Sequence, residues 1–148
     1  GWKADYRDKR VLLAEDNEIN REIARELVGE SGVVIEEACD GAEAVRMVRE
    51  SEEGYYDLIL MDIQMPEMDG YEATREIRAL ERQDVKRLPI VAMTANAFAE
   101  DVQAACRAGM NAHLAKPIDL NELERILKQY LSEGNAMEER PGKGVGTV

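Results

Sequence analysis

The sequence predicts a doubly wound α/β fold, a three-layer sandwich in which a parallel sheet lies between two layers of helices. Three observations carry this prediction. Five short strand-like runs, four of them continuously apolar, alternate with stretches whose residues recur at helical spacing. Such runs have no polar face to turn toward water, so their strands must be covered on both sides, as in a parallel sheet. With 148 residues, the chain is about as long as one ordinary domain.

The four apolar runs and one short run that contains His113 are the predicted strands of this sheet. The second run is entirely β-branched, which favours extended backbone. The first run stops at Glu15 and the third stops at Asp62, so polar residues follow the strands directly. In chain order the runs are Val11–Ala14, Val33–Ile35, Leu58–Met61, Ile90–Met93 and Ala112–Ala115.

The stretches that follow the strands predict five helices, each with an apolar face. In the first helix, Ile19, Ile23 and Leu27 recur every four residues and form one stripe. Gly109 is the predicted C-cap of the fourth helix, and Asp119 is the predicted N-cap of the fifth. The other positions at helical spacing are Ala44, Val45 and Val48 in the second helix, Tyr71, Thr74 and Ile77 in the third, Val102 and Cys106 in the fourth, and Leu120, Leu123, Ile126, Leu127, Tyr130 and Leu131 in the fifth.

The two ends of the chain differ from the region between them. Residues 1–9 are polar around Trp2 and Tyr6 and are predicted to be a linker, with packing on the surface of the domain as the alternative. Residues 132–148 contain four glycines and one proline but no aromatic residue and no periodicity, which predicts a flexible tail or linker. The folded domain is therefore expected to span residues 10–131.

The composition excludes several classes of protein. The chain has 31 acidic and 19 basic residues and a net charge of −12, which disfavours binding to nucleic acid or to anionic membranes. No apolar run approaches the ~18 residues of a membrane span, and no signal peptide opens the chain. We therefore expect a cytoplasmic domain without direct membrane contact. Cys39 and Cys106 are too few for a disulfide framework, and a single histidine, His113, excludes a two-histidine metal site.

Charged and hydroxyl side chains follow four of the five predicted strands. They are Glu15 and Asp16, then Asp62, Thr94 and Lys116. Because parallel strands deliver their carboxyl ends to one edge of a sheet, these groups are expected to meet there. Three neighbouring carboxylates suit Mg²⁺, and an added cation and hydroxyl suit a phosphoryl group. Aspartate is a known nucleophile in phosphoryl transfer, so the residues predict an aspartate that is phosphorylated with the help of Mg²⁺.

The motifs around these residues resemble those of receiver domains in the two-component response-regulator family. The resemblance covers residues 10–131 and implies a flavodoxin-like (βα)5 sandwich with the sheet order 2-1-3-4-5. It also implies an output surface on the fourth helix, fifth strand and fifth helix, near Val102 to Tyr130. The matching stretches, in family order and spacing, are Val11–Asn17, Asp62–Gly70, Met93–Ala95 and Lys116–Pro117.

The resemblance implies a metal site and a phosphoacceptor. Asp62 would accept the phosphoryl group from a phosphohistidine on a partner. Asp16 would bind Mg²⁺ directly, with Glu15 assisting through water, and Mn²⁺ is the alternative ion. Asp62 itself and the backbone carbonyl of Gln64 would complete the ligands that the protein supplies.

The resemblance also implies roles around the phosphoryl group. Lys116 would pair with the phosphorylated carboxylate, and Thr94 would hydrogen-bond a phosphoryl oxygen. Similar proteins carry a switching aromatic residue three positions before the lysine, where this chain has His113. Gln64 and Asn96 flank the site and are expected to tune the lifetime of the phosphate.

The runs Gly70–Thr74 and Gly109–His113 resemble receivers joined to hybrid histidine kinases. They imply a module of such a kinase, whose parent chain could be membrane-anchored, and a free-standing regulator is the alternative. The expected partner is the histidine-phosphorylated dimerisation domain of a kinase or a histidine phosphotransfer protein. No helix with a catalytic histidine and no ATP-binding segment lies within the sequence. The chain is therefore expected to be no conventional enzyme, although it would catalyse its own phosphorylation and dephosphorylation.

Other functions fit the residues less well. A haloacid-dehalogenase type hydrolase needs a second aspartate two positions after its nucleophile, where this chain has Gln64. A flavodoxin-like carrier needs a first loop rich in Ser, Thr and Gly, but Glu15–Asn17 would repel a phosphate. The glycine-rich motifs of dinucleotide enzymes and P-loop hydrolases are absent from the sequence. A receiver that binds partners without being phosphorylated stays open as the alternative.

Overall fold

A computed structural model of the chain describes residues 5–96 and 98–132. Residues 1–4 of the predicted linker lie outside this range, as does the predicted tail beyond Ser132. Within the described part of the linker, Tyr6 is buried and packs into the core beside Val11. Its backbone NH donates to the carbonyl of Ser31, so this segment lies against the domain.

The predicted parallel sheet is confirmed. Its five strands run in the order β2-β1-β3-β4-β5, and every neighbouring pair is parallel. The three central strands are almost wholly buried, whereas the edge strand β2 begins one residue later than predicted and is partly exposed. The strands are β1 Arg10–Ala14, β2 Val34–Ala38, β3 Leu58–Asp62, β4 Ile90–Thr94 and β5 Ala112–Ala115.

The structure has six helices in the described residues, one more than predicted. The additional helix, α4, has only four residues, which is too short for an apolar period to show in the sequence. The predicted fourth and fifth helices are therefore α5 and α6. The helices are α1 Glu18–Gly29, α2 Gly41–Glu50, α3 Gly70–Arg78, α4 Asp84–Arg87, α5 Ala99–Ala108 and α6 Leu120–Leu131.

The predicted helix caps are confirmed. Asp119 precedes α6, and its carboxylate accepts a hydrogen bond from the backbone NH of Glu122. Gly109 ends α5 at a φ of 108°, a left-handed conformation that glycine adopts without a steric penalty. Asn17 caps α1 in the same way, because its side-chain oxygen accepts a hydrogen bond from the backbone NH of Asn20. This bond fixes the loop between β1 and α1 where it enters the helix.

The helices form two layers, as predicted, and each layer packs on one face of the sheet. α1 and α6 cover one face, where Leu123 and Ile126 of α6 are fully buried. α2, α3 and α5 cover the other face, where Ile77 of α3 is fully buried. Both faces of the sheet are therefore apolar, and the polar groups collect at the strand ends.

The first helix was correctly predicted, but only Leu27 of its three-residue stripe packs against the core, and the other two residues are exposed. Ile19 and Ile23 are 67% and 52% exposed, while Ala24 and Val28 are buried against the sheet. Consecutive residues differ by about 100° around a helix, so Ala24 and Val28 lie on a different side from the stripe. The structure thus leaves two large apolar side chains in water beside the carboxyl edge of the sheet.

Candidate functional site

The carboxyl ends of the strands form one cleft of about 290 Å³. The sheet register explains why: Asp62 at the end of β3 lies beside Met93, one residue before Thr94 ends β4. The cleft brings together the predicted residues Glu15, Asp16, Asp62, Gln64, Thr94, Asn96 and Lys116. His113 does not line it and is half-buried on β5, where it pairs with Ala92 of β4.

Sequence reasoning placed Asn17 in the same loop as Glu15 and Asp16 but missed three other polar side chains of this cleft. They are Asn20 at the start of α1, Tyr71 in the first turn of α3, and Asp101 in the first turn of α5. Each of these helices follows a strand, so its first turn starts at the carboxyl edge of the sheet. A polar residue in the first turn of the helix that follows a strand was therefore the signal that could have found them.

Three carboxylates lie close together in the cleft. Glu15, Asp16 and Asp62 each offer an oxygen, and these oxygens all lie within 4.8 Å of one another. Glu15 and Asp62 are buried, whereas Asp16 is exposed and leaves one side open to water. An all-oxygen donor set with room for water ligands suits Mg²⁺, so the residues present fit this ion.

Lys116 lies between the two buried carboxylates. Its Nζ is 2.8 Å from Oε1 of Glu15 and 3.2 Å from Oδ1 of Asp62. Burial favours a neutral amine, but the hydrogen bond to Glu15 and the two negative charges raise the pKa of Lys116 overall. The lysine is therefore a stable cation in contact with both buried carboxylates.

Asp62 has an unusual proton affinity for an aspartate. Burial, followed by the negative charge of Glu15, raises the pKa of Asp62 to about 6, although Lys116 acts in the opposite direction. The ionised carboxylate is thus held at an energetic cost. A cation bound beside it would remove much of this cost, which is a physical reason for the site to take up a metal ion.

The Thr94 hydroxyl is occupied by its own loop. Its Oγ1 donates to the backbone carbonyl of Asn96 at 2.8 Å and accepts from the backbone NH of Asn96 at 3.0 Å. To donate to a phosphoryl oxygen, the hydroxyl must release the Asn96 carbonyl. The Thr94 side chain therefore links the end of β4 to Asn96.

The chain belongs to the response regulator receiver domain family, whose model matches residues 11–128. Among curated proteins, it is 42% identical over 134 residues to hybrid signal transduction histidine kinase B of Dictyostelium discoideum, covering 84% of this chain and 7% of that protein. It is 42% identical over 139 residues to histidine kinase CKI1 of Arabidopsis thaliana, covering 86% of this chain and 12% of that protein. The chain thus corresponds to a small part of these kinases.

Solved receiver structures share the fold. The receiver domain of sensor histidine kinase PA1611 from Pseudomonas aeruginosa is 42% identical, with a TM-score of 0.75 over 84% of this chain and 98% of that one. Its structure has a magnesium ion coordinated in the active-site cleft. The receiver of Saccharomyces cerevisiae Ssk1, solved with the histidine phosphotransfer protein Ypd1, is 32% identical, with a TM-score of 0.74 over 82% and 88% of the two chains.

Within residues 5–96 and 98–132, no helix combines the length and the apolar character that crossing a membrane requires.

Proposed function

We propose that this chain is the phosphoacceptor receiver of a phosphorelay, in which Asp62 takes a phosphoryl group from a phosphohistidine of a partner protein. One observation carries the proposal. Asp62 is 5% exposed, and its carboxylate lies beside the Lys116 cation and two further carboxylates at the open edge of the sheet. Two solved structures support this proposal: the PA1611 receiver holds a magnesium ion, and the Ssk1 receiver is bound to a histidine phosphotransfer protein.

The transfer is a single displacement at phosphorus. A carboxylate oxygen of Asp62 attacks, the phosphorus–nitrogen bond of the phosphohistidine breaks, and its electron pair stays on the imidazole nitrogen. Lys116 pairs with the acyl phosphate that forms, because it already contacts Oδ1 of Asp62. Glu15, Asp16, Asp62 and the backbone carbonyl of Gln64 would hold Mg²⁺ or, with the same donors, Mn²⁺. When bound, the ion offsets the charge that spreads over the transferring oxygens.

The proposed switch begins at Thr94. The product carries nearly two negative charges and three acceptor oxygens where a carboxylate with one charge stood. Thr94 would exchange its bond to the Asn96 carbonyl for one to a phosphoryl oxygen and move the loop that leads into α5. We propose that α5, β5 and α6 form the output surface, with His113 of β5 as its switching side chain. Gln64 and Asn96 line the cleft and would control how fast water reaches the phosphate.

To test this proposal, the chain is incubated with acetyl phosphate, a small phosphodonor, with and without Mg²⁺. The intact mass of the chain is then measured. We expect a gain of one phosphoryl group that requires Mg²⁺. Reduction with borohydride should convert the acyl phosphate to homoserine, and peptide sequencing should place it at position 62. A chain that gains nothing from acetyl phosphate or from a phosphohistidine protein would instead be an interaction module that works without phosphorylation.

The exposed side chains of α1 support a protein as the natural donor. Ile23 is 52% exposed and borders a small groove with Met93, Pro117 and Ile118, which also reaches Lys116. A donor histidine that reaches Asp62 must bring its surface over this groove. A helical phosphotransfer or dimerisation domain would bury these apolar groups, whereas acetyl phosphate is too small to touch them.

Replacement of Ile23 by aspartate should separate the two kinds of donor. We expect transfer from a phosphohistidine protein to slow at least ~10-fold, because a buried apolar contact is replaced by an unpaired charge. Phosphorylation by acetyl phosphate should stay within about twofold of the unmodified chain, since the cleft itself is unchanged. Val34→Asp, at an exposed position on β2, is the matched control and should affect neither rate. Equal losses with both donors would contradict docking at α1.

At the level of the parent protein, we propose that the chain is a cytoplasmic receiver module of a hybrid histidine kinase.

A further inference from the structure

We infer that Arg21, near the start of α1, is a positioning residue for the metal-binding carboxylates of Glu15 and Asp16. Its guanidinium makes two hydrogen bonds to different parts of the fold. Nη1 donates to the backbone carbonyl of Glu15 at 2.9 Å, and Nε donates to Oε1 of Glu37 in β2 at 3.1 Å. The Arg21 side chain is only 16% exposed, so water competes weakly for these bonds. The inference rests on the proposed function, because it concerns Mg²⁺ at the same site.

The bond to Glu15 fixes the peptide unit that joins the two acidic residues. The carbonyl of Glu15 and the NH of Asp16 belong to one planar group, so holding the carbonyl sets the direction in which the chain enters Asp16. The NH of Glu15 is held as well, because it donates to the carbonyl of Ala38 at 3.1 Å. Both backbone polar groups of Glu15 therefore have partners, and Arg21 supplies one of them.

The other end of the bridge is anchored independently of Arg21. Glu37 accepts a second hydrogen bond through Oε2 from Nη1 of Arg25 at 3.0 Å. In the described part of the chain, Arg25 hydrogen-bonds to Glu37 but not to Glu15. Arg25 thus carries the same charge on the same helix and binds the same carboxylate, which makes it a matched control for Arg21.

The charge of Arg21 and its positioning role predict opposite effects on Mg²⁺. Removing the positive charge of Arg21 would strengthen the binding of a cation at the three carboxylates, because it removes a Coulomb repulsion. Releasing the Glu15–Asp16 peptide would weaken it, because groups that orient metal ligands typically change metal affinity by roughly 10–100-fold. The direction of the change therefore distinguishes the two roles.

Calorimetric titration of Mg²⁺ into the metal-free chain tests this inference. We expect Arg21→Ala to bind Mg²⁺ about 10-fold more weakly, and Arg25→Ala to bind it as the unmodified chain does or more tightly. Arg21→Lys keeps the charge but lacks a planar group that can donate in both directions. Its Mg²⁺ affinity should therefore lie between that of Arg21→Ala and that of the unmodified chain. At saturating Mg²⁺, the rate of phosphorylation of Arg21→Ala by acetyl phosphate should return to that of the unmodified chain.

Four outcomes would overturn the inference. The first two are Arg21→Ala binding Mg²⁺ as tightly as the unmodified chain, and Arg25→Ala losing as much affinity as Arg21→Ala. The third is full affinity in Arg21→Lys, because the guanidinium that donates to both Glu15 and Glu37 would then not be needed. The fourth is an unmodified chain that binds no Mg²⁺, and this outcome alone would overturn the proposed function as well.

Discussion

Asp62→Asn is expected to abolish phosphoryl uptake completely and, at the same time, to make the metal-free domain more stable at pH 8. The amide cannot form an acyl phosphate by displacement at phosphorus, so uptake from any donor should vanish. Stability should rise because the variant no longer buries an ionised carboxylate beside Glu15. Lys116 keeps a partner, since its Nζ is 2.8 Å from Oε1 of Glu15. Loss of function with a gain in stability excludes misfolding as the cause.

The sign of the stability effect depends on pH. The pKa of Asp62 is raised from 3.8 to about 6 in the folded chain, so the folded state binds a proton more tightly than the unfolded state. Below pH ~4, Asp62 is protonated in both states and does not lower the free energy of unfolding. Its destabilising effect develops as the pH rises from about 4 through about 6 and is complete above that pH. At pH 8 the variant should be more stable by roughly 2–3 kcal/mol, and at pH 3.5 this gain should disappear.

Urea unfolding in the presence of EDTA at the two pH values measures this effect. Glu81→Gln removes an exposed carboxylate elsewhere on the surface and should change the free energy of unfolding by no more than about 0.5 kcal/mol at either pH. A variant that is less stable at pH 8, or equally stabilised at both pH values, would contradict an electrostatic cost at Asp62. Added Mg²⁺ should stabilise the unmodified chain but not Asp62→Asn to the same extent, because the variant lacks one ligand.

The sequence predicted the convergence of the site because a parallel sheet leaves little freedom. Once Asp62 and Thr94 are placed at strand ends, the alignment of neighbouring strands brings them to one edge. Lys116 follows the last strand and reaches the same edge, where it contacts Asp62. The strand pattern predicted that these residues share an edge, whereas the pairing of Lys116 with Asp62 was implied by the family resemblance.

Features that depend on contact between elements could not be predicted in the same way. Ile19 and Ile23 have the spacing of a buried stripe, but the smaller Ala24 and Val28 fit against the sheet. The bridge from Arg21 to the Glu15 carbonyl ends on a backbone atom, which leaves no trace in residue type. In both cases the packing of whole helices against the sheet decided which side chains are buried and which contacts form.

The turn after β3 is held by a glycine at a position with no room for a side chain. A Cβ on Gly70 would lie 2.3 Å from the backbone carbonyl oxygen of Asp62 and 3.0 Å from Cα of Ile63. The NH of Gly70 also donates to the carbonyl of Ile63 at 2.7 Å, so the two segments cannot separate without losing this bond. Both obstructing groups are backbone, which cannot rotate away as a flexible side chain could.

Gly70→Ala should therefore destabilise the domain by at least ~3 kcal/mol and shift the Asp62 backbone, so that phosphoryl uptake falls even in the fraction that stays folded. Gly29→Ala is the matched control, because a Cβ there meets only Cδ1 of Ile35 at an ordinary 3.7 Å. In a helix this change should be neutral or stabilising by up to about 1 kcal/mol. Urea unfolding of both variants, with mass-detected phosphorylation of the folded fraction, checks the prediction. A Gly70→Ala chain with native stability would contradict this prediction, because it would mean that the β3–α3 turn can open enough to admit a methyl group.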